Sequence, residues 1–360
     1  MISIVLGTRP EIIKMAPLIR ACQRAGTDYS ILHTGQHYSY EMDRIFFREL
    51  ELPQPQYNLD VGSGGHAEQT GKIMTGIEKI YQKDVPDLVL VQGDTNTVLA
   101  GTLAASKLHI PIGHVEAGLR SFDRRMPEEI NRIVADHVAD LLFAPTDLSR
   151  QYLLNEGIDE KKIFVTGNTI VDAVVQNQVI AQKKTSLLRE MSLEPRGYFL
   201  VTIHRAENVD AKASLQGIIT GISSLSRNYG LPVIFPVHPR TQKMIKEFGI
   251  NTESISLIQP AGFLEFMELE SNARLVLTDS GGVQEEACIL KIPCVTLREN
   301  TERPETINVG ANMLAGTNAQ EIQRVSEIMM RSKCTWANPY GDGNAGGKII
   351  EICQQSLKNI

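Results

Sequence analysis

Short runs of Val, Ile and Leu recur along the chain, each stopped by a glycine or a polar cluster and followed by a stretch with helical spacing. Ile2 to Leu6 is the first such run; Gly7 ends it, and Pro10 stands at an early helical position where proline is tolerated. Tyr29 to His33, Leu88 to Val91, Ile110 to Val115, Leu141 to Ala144 and Ile163 to Val165 repeat the pattern, with a helix over Thr95 to Leu108. The alternation then restarts. Tyr198 to Ile203, Val233 to Val237, Ile255 to Ile258, Leu275 to Thr278 and Cys294 to Leu297 read as strands, and Ala213 to Ser226 and Gly282 to Leu290 as helices. Strands alternating with helices build βαβ units and parallel sheets. The pattern therefore predicts an α/β protein of two doubly wound halves, joined near Gly167 to Lys184 and packed face to face around a central cleft. Ligands of open α/β sheets bind beyond the carboxyl ends of the strands, so chemistry is expected there.

Composition narrows the function classes. A chain of 360 residues, 42% hydrophobic and 22% charged, can fill two soluble cores. No apolar run reaches the roughly 18 residues of a spanning helix, and MISIVLGTRPE reads as a first strand rather than a signal peptide. No membrane insertion and a cytoplasmic location are expected. A net charge of -6 gives no global basic field for nucleic acid, yet allows a local cationic pocket for a phosphate. The cysteines, Cys22, Cys288, Cys294, Cys334 and Cys353, are odd in number and form no Cys-x-x-Cys pair. They read as buried thiols of a reducing compartment rather than as a disulfide framework, a zinc site or a nucleophile.

Candidate chemistry clusters at the strand ends. Gly7-Thr8-Arg9-Pro10-Glu11, with Lys14 a turn later, offers backbone N–H groups and two cations to an anion, or else a plain turn with solvated charges. It matches neither the dinucleotide fingerprint nor the triphosphatase loop. Gln36-His37-Tyr38 suits a polyhydroxylated ligand. Asp94 either caps the next helix or, if Thr95 does so, keeps its carboxylate for the site. Glu116, between an apolar run and Gly118, is hard to explain as a surface charge. Glu128 and Arg132 stand four apart on one helical face, while Glu129 suits the helix dipole. Asp94, Glu116 and Glu128 are thus expected to converge, and like charges brought together separate acid from base. Magnesium is the competing explanation of such a cluster, although Arg9, Lys14 and Arg132 can supply the positive charge. In the second half His204-Arg205 and His238-Pro239-Arg240 end strands. Asp279-Ser280-Gly281-Gly282 opens a helix as a diphosphate site would, with a Glu one turn in to meet ribose hydroxyls, and Arg298 to Glu305 form a charged loop.

Taken in order, these motifs resemble the non-hydrolysing UDP-N-acetylglucosamine 2-epimerase family over essentially the whole chain. The resemblance is carried by Gly7-Thr-Arg-Pro-Glu11, Gly35-Gln-His37, Gly93-Asp-Thr95, Glu116-Ala-Gly-Leu-Arg120, Pro127-Glu-Glu-Ile-Asn-Arg132, His204-Arg205, Asp279-Ser-Gly-Gly282 and Thr301-Glu-Arg-Pro-Glu305. It implies two Rossmann-like domains of the glycosyltransferase B architecture, residues 1–168 and 169–345, with a helix within 346–360 crossing back to the first. It implies reversible conversion of UDP-GlcNAc and UDP-ManNAc by elimination of UDP to a glycal and re-addition, without cofactor or metal, in a homodimer. By motif, Asp94, Glu116, Glu128 and His204 fall at the reaction centre with Arg9, Lys14 and Arg132; His37, Arg205 and His238 are counted with the substrate contacts. Ser280, Gly281, Gly282 and Glu286 fall at the UDP site beside Arg303, and Phe266 meets the uracil region. The rival activities are a UDP-sugar glycosyltransferase of the same fold, a hydrolysing 2-epimerase and a non-catalytic nucleotide-sugar sensor. Glu68-Gln69 departs from the Arg-Gln that some members carry at an allosteric subsite, and an acidic residue there would repel a second diphosphate.

Overall fold

The computed structural model describes residues 1–36 and 40–358. Its packing divides the chain into two units, Met1–Ala173 with the stretch from Tyr340 onward, and Val174–Pro339. The first unit runs β1 (Ile2–Leu6), α1 (Arg9–Ala25), β2 (Tyr29–His33), α2 (Tyr40–Glu49), β3 (Tyr57–Asn58), α3 (His66–Tyr81), β4 (Leu88–Gln92) and α4 (Asn96–Lys107). It continues with β5 (Ile112–Val115), α5 (Pro127–Val138), β6 (Leu141–Ala144), α6 (Asp147–Asn155), β7 (Ile163–Val165) and the start of α7 (Thr169–Lys184). The second unit holds α8 (Leu187–Glu190), β8 (Phe199–Thr202), α9 (Ala206–Val209), α10 (Lys212–Tyr229), β9 (Val233–Pro236), α11 (Pro239–Phe248) and β10 (Ser256–Ile258). After them come α12 (Phe263–Asn272), β11 (Leu275–Thr278), α13 (Gly281–Ile289), β12 (Cys294–Thr296), α14 (Pro304–Asn308), β13 (Asn312–Leu314) and α15 (Ala319–Met330).

All the strand pairs are parallel, in the orders β3-β2-β1-β4-β5-β6-β7 and β10-β9-β8-β11-β12-β13. In each sheet the first strand lies inside the order, so the winding reverses between β1 and β4 and again between β8 and β11. A strand covered on both faces has no polar side, which is why β1 and β4 are buried at every position and read as apolar runs interrupted only by Ser3 and ended by Gln92. The apolar pattern does not mark β3 or β13. Both are short edge strands, and Tyr57–Asn58 and Asn312 carry no such run.

The last helix, α16 (Ala345–Leu357), packs on α1 of the first unit. Asp172 accepts hydrogen bonds from the Ala345 and Gly346 N–H groups at 3.1 and 2.9 Å, holding the start of α16. Cys22 and Cys353 are buried there, and burial pushes the Cys22 thiol up to about 12. All five cysteines are free thiols. Among the described residues no helix is long and apolar enough to cross a membrane.

A Cβ added at Gly346 would meet the Pro17 backbone carbon and oxygen at 3.0 Å, whereas one at Gly347 would meet the movable Asn344 side-chain oxygen at 2.5 Å. Gly346→Ala is expected to cost roughly 1–3 kcal/mol of unfolding free energy through overpacking. Gly347→Ala should stay within about 0.5 kcal/mol. Urea denaturation of the two variants checks the contrast.

Candidate active site

In the first unit the ends of β1, β4 and β5, neighbours in the sheet, each deliver a carboxylate to a fixed partner. Glu11, buried in the first turn of α1, accepts from the Gly7 N–H at 2.9 Å and from the Thr95 hydroxyl at 2.7 Å. Burial pushes the Glu11 carboxyl up, ahead of the opposing pull of these donors. This corrects one expectation: the Gly7 N–H is not presented to an outside anion, because the protein's own carboxylate takes it.

Thr95 is the N-cap of α4, its oxygen accepting from the Val98 N–H. Asp94 is therefore released from capping, and its partly exposed carboxylate pairs with Arg132. The carbonyls on either side of Asp94 are also held: the Asn131 amide donates to the Asp94 carbonyl at 2.9 Å, and a His114 ring nitrogen lies 2.8 Å from the Gly93 carbonyl.

Glu116 follows β5 in the left-handed region, at φ 69°. A residue with a Cβ rarely adopts that conformation without a tertiary reason. The reason is visible in its carboxylate, which is 5% exposed and receives the Lys14 ammonium at 2.7 and 2.8 Å as well as the Gln92 amide. The carboxylates are thus matched to cations, Glu116 to Lys14 and Asp94 to Arg132, rather than crowded against one another.

Glu128 is exposed in the first turn of α5, and it is Glu129 that reaches Arg132, at 2.6 Å. Glu129 is buried and also accepts from the Ser121 and Phe122 N–H groups, tying down the segment before α5. Its carboxyl is held below the usual range: burial opposes this, but the Ser121 and Phe122 donors and Arg132 outweigh it. The expected convergence of Glu128 with Asp94 and Glu116 is therefore not built by contacts of Glu128 itself among the described residues. Arg9 lies with its guanidinium 4.8 Å above the Phe46 ring and 3.9 Å from Asp43. His37 lies outside the described residues. Glu68 is exposed on α3 and pairs with Lys72 at 2.6 Å. Gln69 is buried and donates to the Gln36 and Gly62 carbonyls.

In the second unit Asp279, fully buried at the end of β11, accepts from the His204 and Arg205 N–H groups and the Asn208 amide. The His204 ring nitrogen Nδ1 lies 3.0 Å from the same carboxylate, while half the His204 side chain is exposed. Burial works against the Asp279 anion, but His204 and the N–H donors outweigh it and hold the carboxyl low. Ser280 is the N-cap of α13 without a side-chain bond of its own to the helix. A Cβ at Gly281 or Gly282 would meet nothing nearer than 3.9 Å, so the glycines leave open space over that helix start. Glu286, one turn in, faces Glu270, a fully buried carboxyl of α12 that burial and Glu286 together push well up. Phe266 is half-buried one turn before Glu270. Arg303 pairs with buried Glu285 at 2.8 Å. Arg205 lies 3.8 Å from Glu302, which Arg298 holds down to about 2. His238 caps α11, accepting from the Arg240 N–H, and is exposed.

Among the described residues no three His, Cys, Asp or Glu side chains are grouped to hold a metal ion. Sequence reasoning passed over Glu11, Gln92, His114, Asp136, Asp279 and Glu270 as individual residues. Asp136 one turn after Arg132 and Glu270 one turn after Phe266 are the available signals, since an acid on the buried face of a helix needs a partner.

Comparison with known proteins places this geometry in company. A family profile described as UDP-N-acetylglucosamine 2-epimerase matches residues 20–354. The chain is 56% identical over 358 residues to a UDP-N-acetylglucosamine 2-epimerase of Methanocaldococcus jannaschii, covering 98% of each chain. It is 42% identical over 351 residues to a UDP-2,3-diacetamido-2,3-dideoxy-D-glucuronate 2-epimerase of Pseudomonas aeruginosa, covering 96% of this chain and 97% of that one. A crystal structure of the M. jannaschii enzyme in complex with UDP-GlcNAc and UDP superposes with a TM-score of 0.84 at 56% identity, covering 98% of this chain and 99% of that one.

The Asp279 network predicts a pH-dependent variant. A carboxyl whose native pKa lies below its unfolded value of about 3.9 stabilises the fold above that value, and loses the contribution as pH falls through the native one. Asp279→Asn is expected to cost about 1–3 kcal/mol at pH 7. The deficit should shrink as the medium is acidified; urea midpoints of both proteins from pH 7 downward measure it.

Proposed function

The chain belongs to the UDP-N-acetylglucosamine 2-epimerase family, and from that premise we propose that it interconverts UDP-GlcNAc and UDP-ManNAc by eliminating UDP and adding it back. The supporting observation is the pair of carboxylate–cation contacts at neighbouring strand ends, Glu116 with Lys14 and Asp94 with Arg132. Breaking the C1–O bond sends its electron pair to the diphosphate, and loss of the proton on carbon 2 to a carboxylate closes the glycal double bond. The acid and base are drawn from Asp94, Glu116 and Glu128, with His204, oriented by Asp279, as a further proton carrier. A positioned group of this kind is worth about 10²–10⁴-fold in rate. Re-addition delivers a proton to the opposite face of carbon 2 and returns the diphosphate to carbon 1.

The leaving diphosphate is assigned to the open start of α13 at Ser280, Gly281 and Gly282, with Arg303 as a charged donor. The ribose is assigned to Glu286 and the uracil to the region of Phe266. No divalent metal is given a role, because Lys14, Arg132 and Arg9 supply positive charge where a cation would. Water must be kept from the glycal for UDP to be recaptured rather than released.

The test is the reaction with UDP-GlcNAc alone, run in heavy water and followed by NMR. Deuterium is expected at carbon 2 of UDP-ManNAc, and oxygen-18 in the sugar–phosphate bridge should scramble into non-bridging positions. Free ManNAc with stoichiometric UDP would mean hydrolysis instead. Epimerised product carrying neither label change would sink the elimination.

Gly282→Ala separates site from fold. The added methyl finds open space, so stability should change by no more than about 0.5 kcal/mol. UDP affinity, measured by calorimetry, should fall about tenfold or more, because the methyl stands where the diphosphate approaches.

A further inference from the structure

His114 lies inside β5, fully buried, and makes a contact through each ring nitrogen. Nδ1 is 2.7 Å from the Asp136 carboxylate, and Nε2 is 2.8 Å from the Gly93 carbonyl. Both partners can only accept once Asp136 is ionised. A neutral imidazole carries one N–H, so one of the two contacts would set lone pair against lone pair around a buried ring. We propose that His114 is a doubly protonated imidazolium and a positioning residue, fixing the Gly93–Asp94 peptide and through it the Asp94 carboxylate. The proposal rests on the reading that Asp94 acts at the reacting carbon.

The surrounding charges fit that state. Asp136 on α5 also receives Arg120 at 2.7 Å and the Gly118 N–H at 3.1 Å, and Arg120 in turn receives Glu156. With the extra proton, His114 and Arg120 balance Asp136 and Glu156, and the part-exposed His137 of α5 meets the outer side of Glu156 at 3.3 Å. Glu116 faces His114 from the end of its own strand and is itself covered by Lys14 of α1. Burial opposes the charge on the ring, but Asp136, the Gly93 carbonyl and Glu116 more than offset it and raise the His114 pKa. Gly93, at φ 85°, takes the left-handed conformation of the turn that this contact holds.

The experiment uses the full chain with ¹⁵N-labelled histidine, His114 being assigned by the signal that disappears in His114→Gln. At pH 8 both His114 nitrogens are expected at imidazolium shifts with slowly exchanging protons; a neutral tautomer at pH 7 overturns the proposal. His114→Gln should lower kcat by on the order of 10²-fold, the cost of misplacing a catalytic group by about 1 Å, and leave UDP affinity within about twofold. A folded His114→Gln protein with unchanged kcat overturns the positioning role. Should that variant fail to fold, Asp136→Asn decides: it is expected to lower the His114 pKa and move the alkaline fall of kcat to lower pH by the same amount. An alkaline limb that stays put while the His114 signal shifts counts against the proposal. Absence of epimerisation by the wild-type chain would overturn the activity assigned above, while the imidazolium state is still read directly from its shifts.

Discussion

The first turn of a helix carries N–H groups with no partner in the helix itself, and together they can satisfy one anion or one cap. This protein begins a helix after each of β1, β4, β8 and β11, and fills three of those four starts with its own side chains. Glu11 takes the Gly7 N–H before α1, and Thr95 caps α4. Asp279 takes the His204 and Arg205 N–H groups before α9. The start of α13 is the exception among them: Ser280 makes no side-chain bond to it, and the glycines that follow leave the space above it open. Of these four helix starts, only that of α13 is met by neither a carboxylate nor an N-cap side chain of its own chain among the described residues. The choice is made by where the chain places a carboxylate or hydroxyl, not by the glycines, since Gly7 and Gly281 look alike in the sequence.

The same economy governs the buried charges of the first unit. An ion taken from water must be matched by an opposite charge and by donors for its remaining lone pairs. Glu116 meets this condition with Lys14 and Gln92, Asp136 with His114, Arg120 and the Gly118 N–H, and Glu129 with Arg132 and the backbone of 121–122. The partners of Glu116 and Asp136 come from other elements, so those two networks also pin a strand end to a helix, whereas Glu129 ties down the segment just before its own helix. The left-handed backbone at Glu116 is offset in that setting by the Lys14 and Gln92 contacts on its side chain.

How far the sequence could be read follows from the range of the forces involved. The parallel sheets were legible because burial on both faces writes continuous apolar runs into the strands, and the runs at β1, β4, β8 and β11 coincide with the observed strands to within a residue or so. Edge strands β3 and β13 carry no such signature, being short and partly polar. The alternative roles of Asp94 and Thr95 were visible as alternatives; only the structure shows that Thr95 does the capping. Glu128 and Glu129 illustrate the limit of helical spacing. Positions three and four before Arg132 both reach its face, and the choice of Glu129 depends on the Ser121 and Phe122 N–H groups, which belong to the preceding segment. Likewise nothing local announces that Glu11 turns back onto Gly7, or that His114 meets both Asp136 and Gly93. Those contacts are set by tertiary packing that spacing does not encode.

A family that acts on a nucleoside-diphosphate sugar faces an electrostatic conflict. In the proposed reaction carboxylates carry the proton at carbon 2, yet the ligand is itself an anion, and unmatched acids near it would repel it at any distance short of a Debye length. The arrangement here reduces that repulsion without removing the acids. Lys14 neutralises Glu116 through both oxygens, and Arg132 is shared between Asp94 and Glu129. Burial pushes Glu11 toward its neutral form. Under the proposed assignment the diphosphate is left to the N–H cluster of α13 and to arginines whose own acids are already engaged, Arg303 with Glu285 and Arg298 with Glu302. On this reading the cations of the first unit serve the acids rather than the ligand. Replacing Lys14 would then harm binding mainly by exposing Glu116, and neutralising both partners together would cost less affinity than removing the lysine alone, which is the signature of a charge pair rather than of a direct phosphate contact.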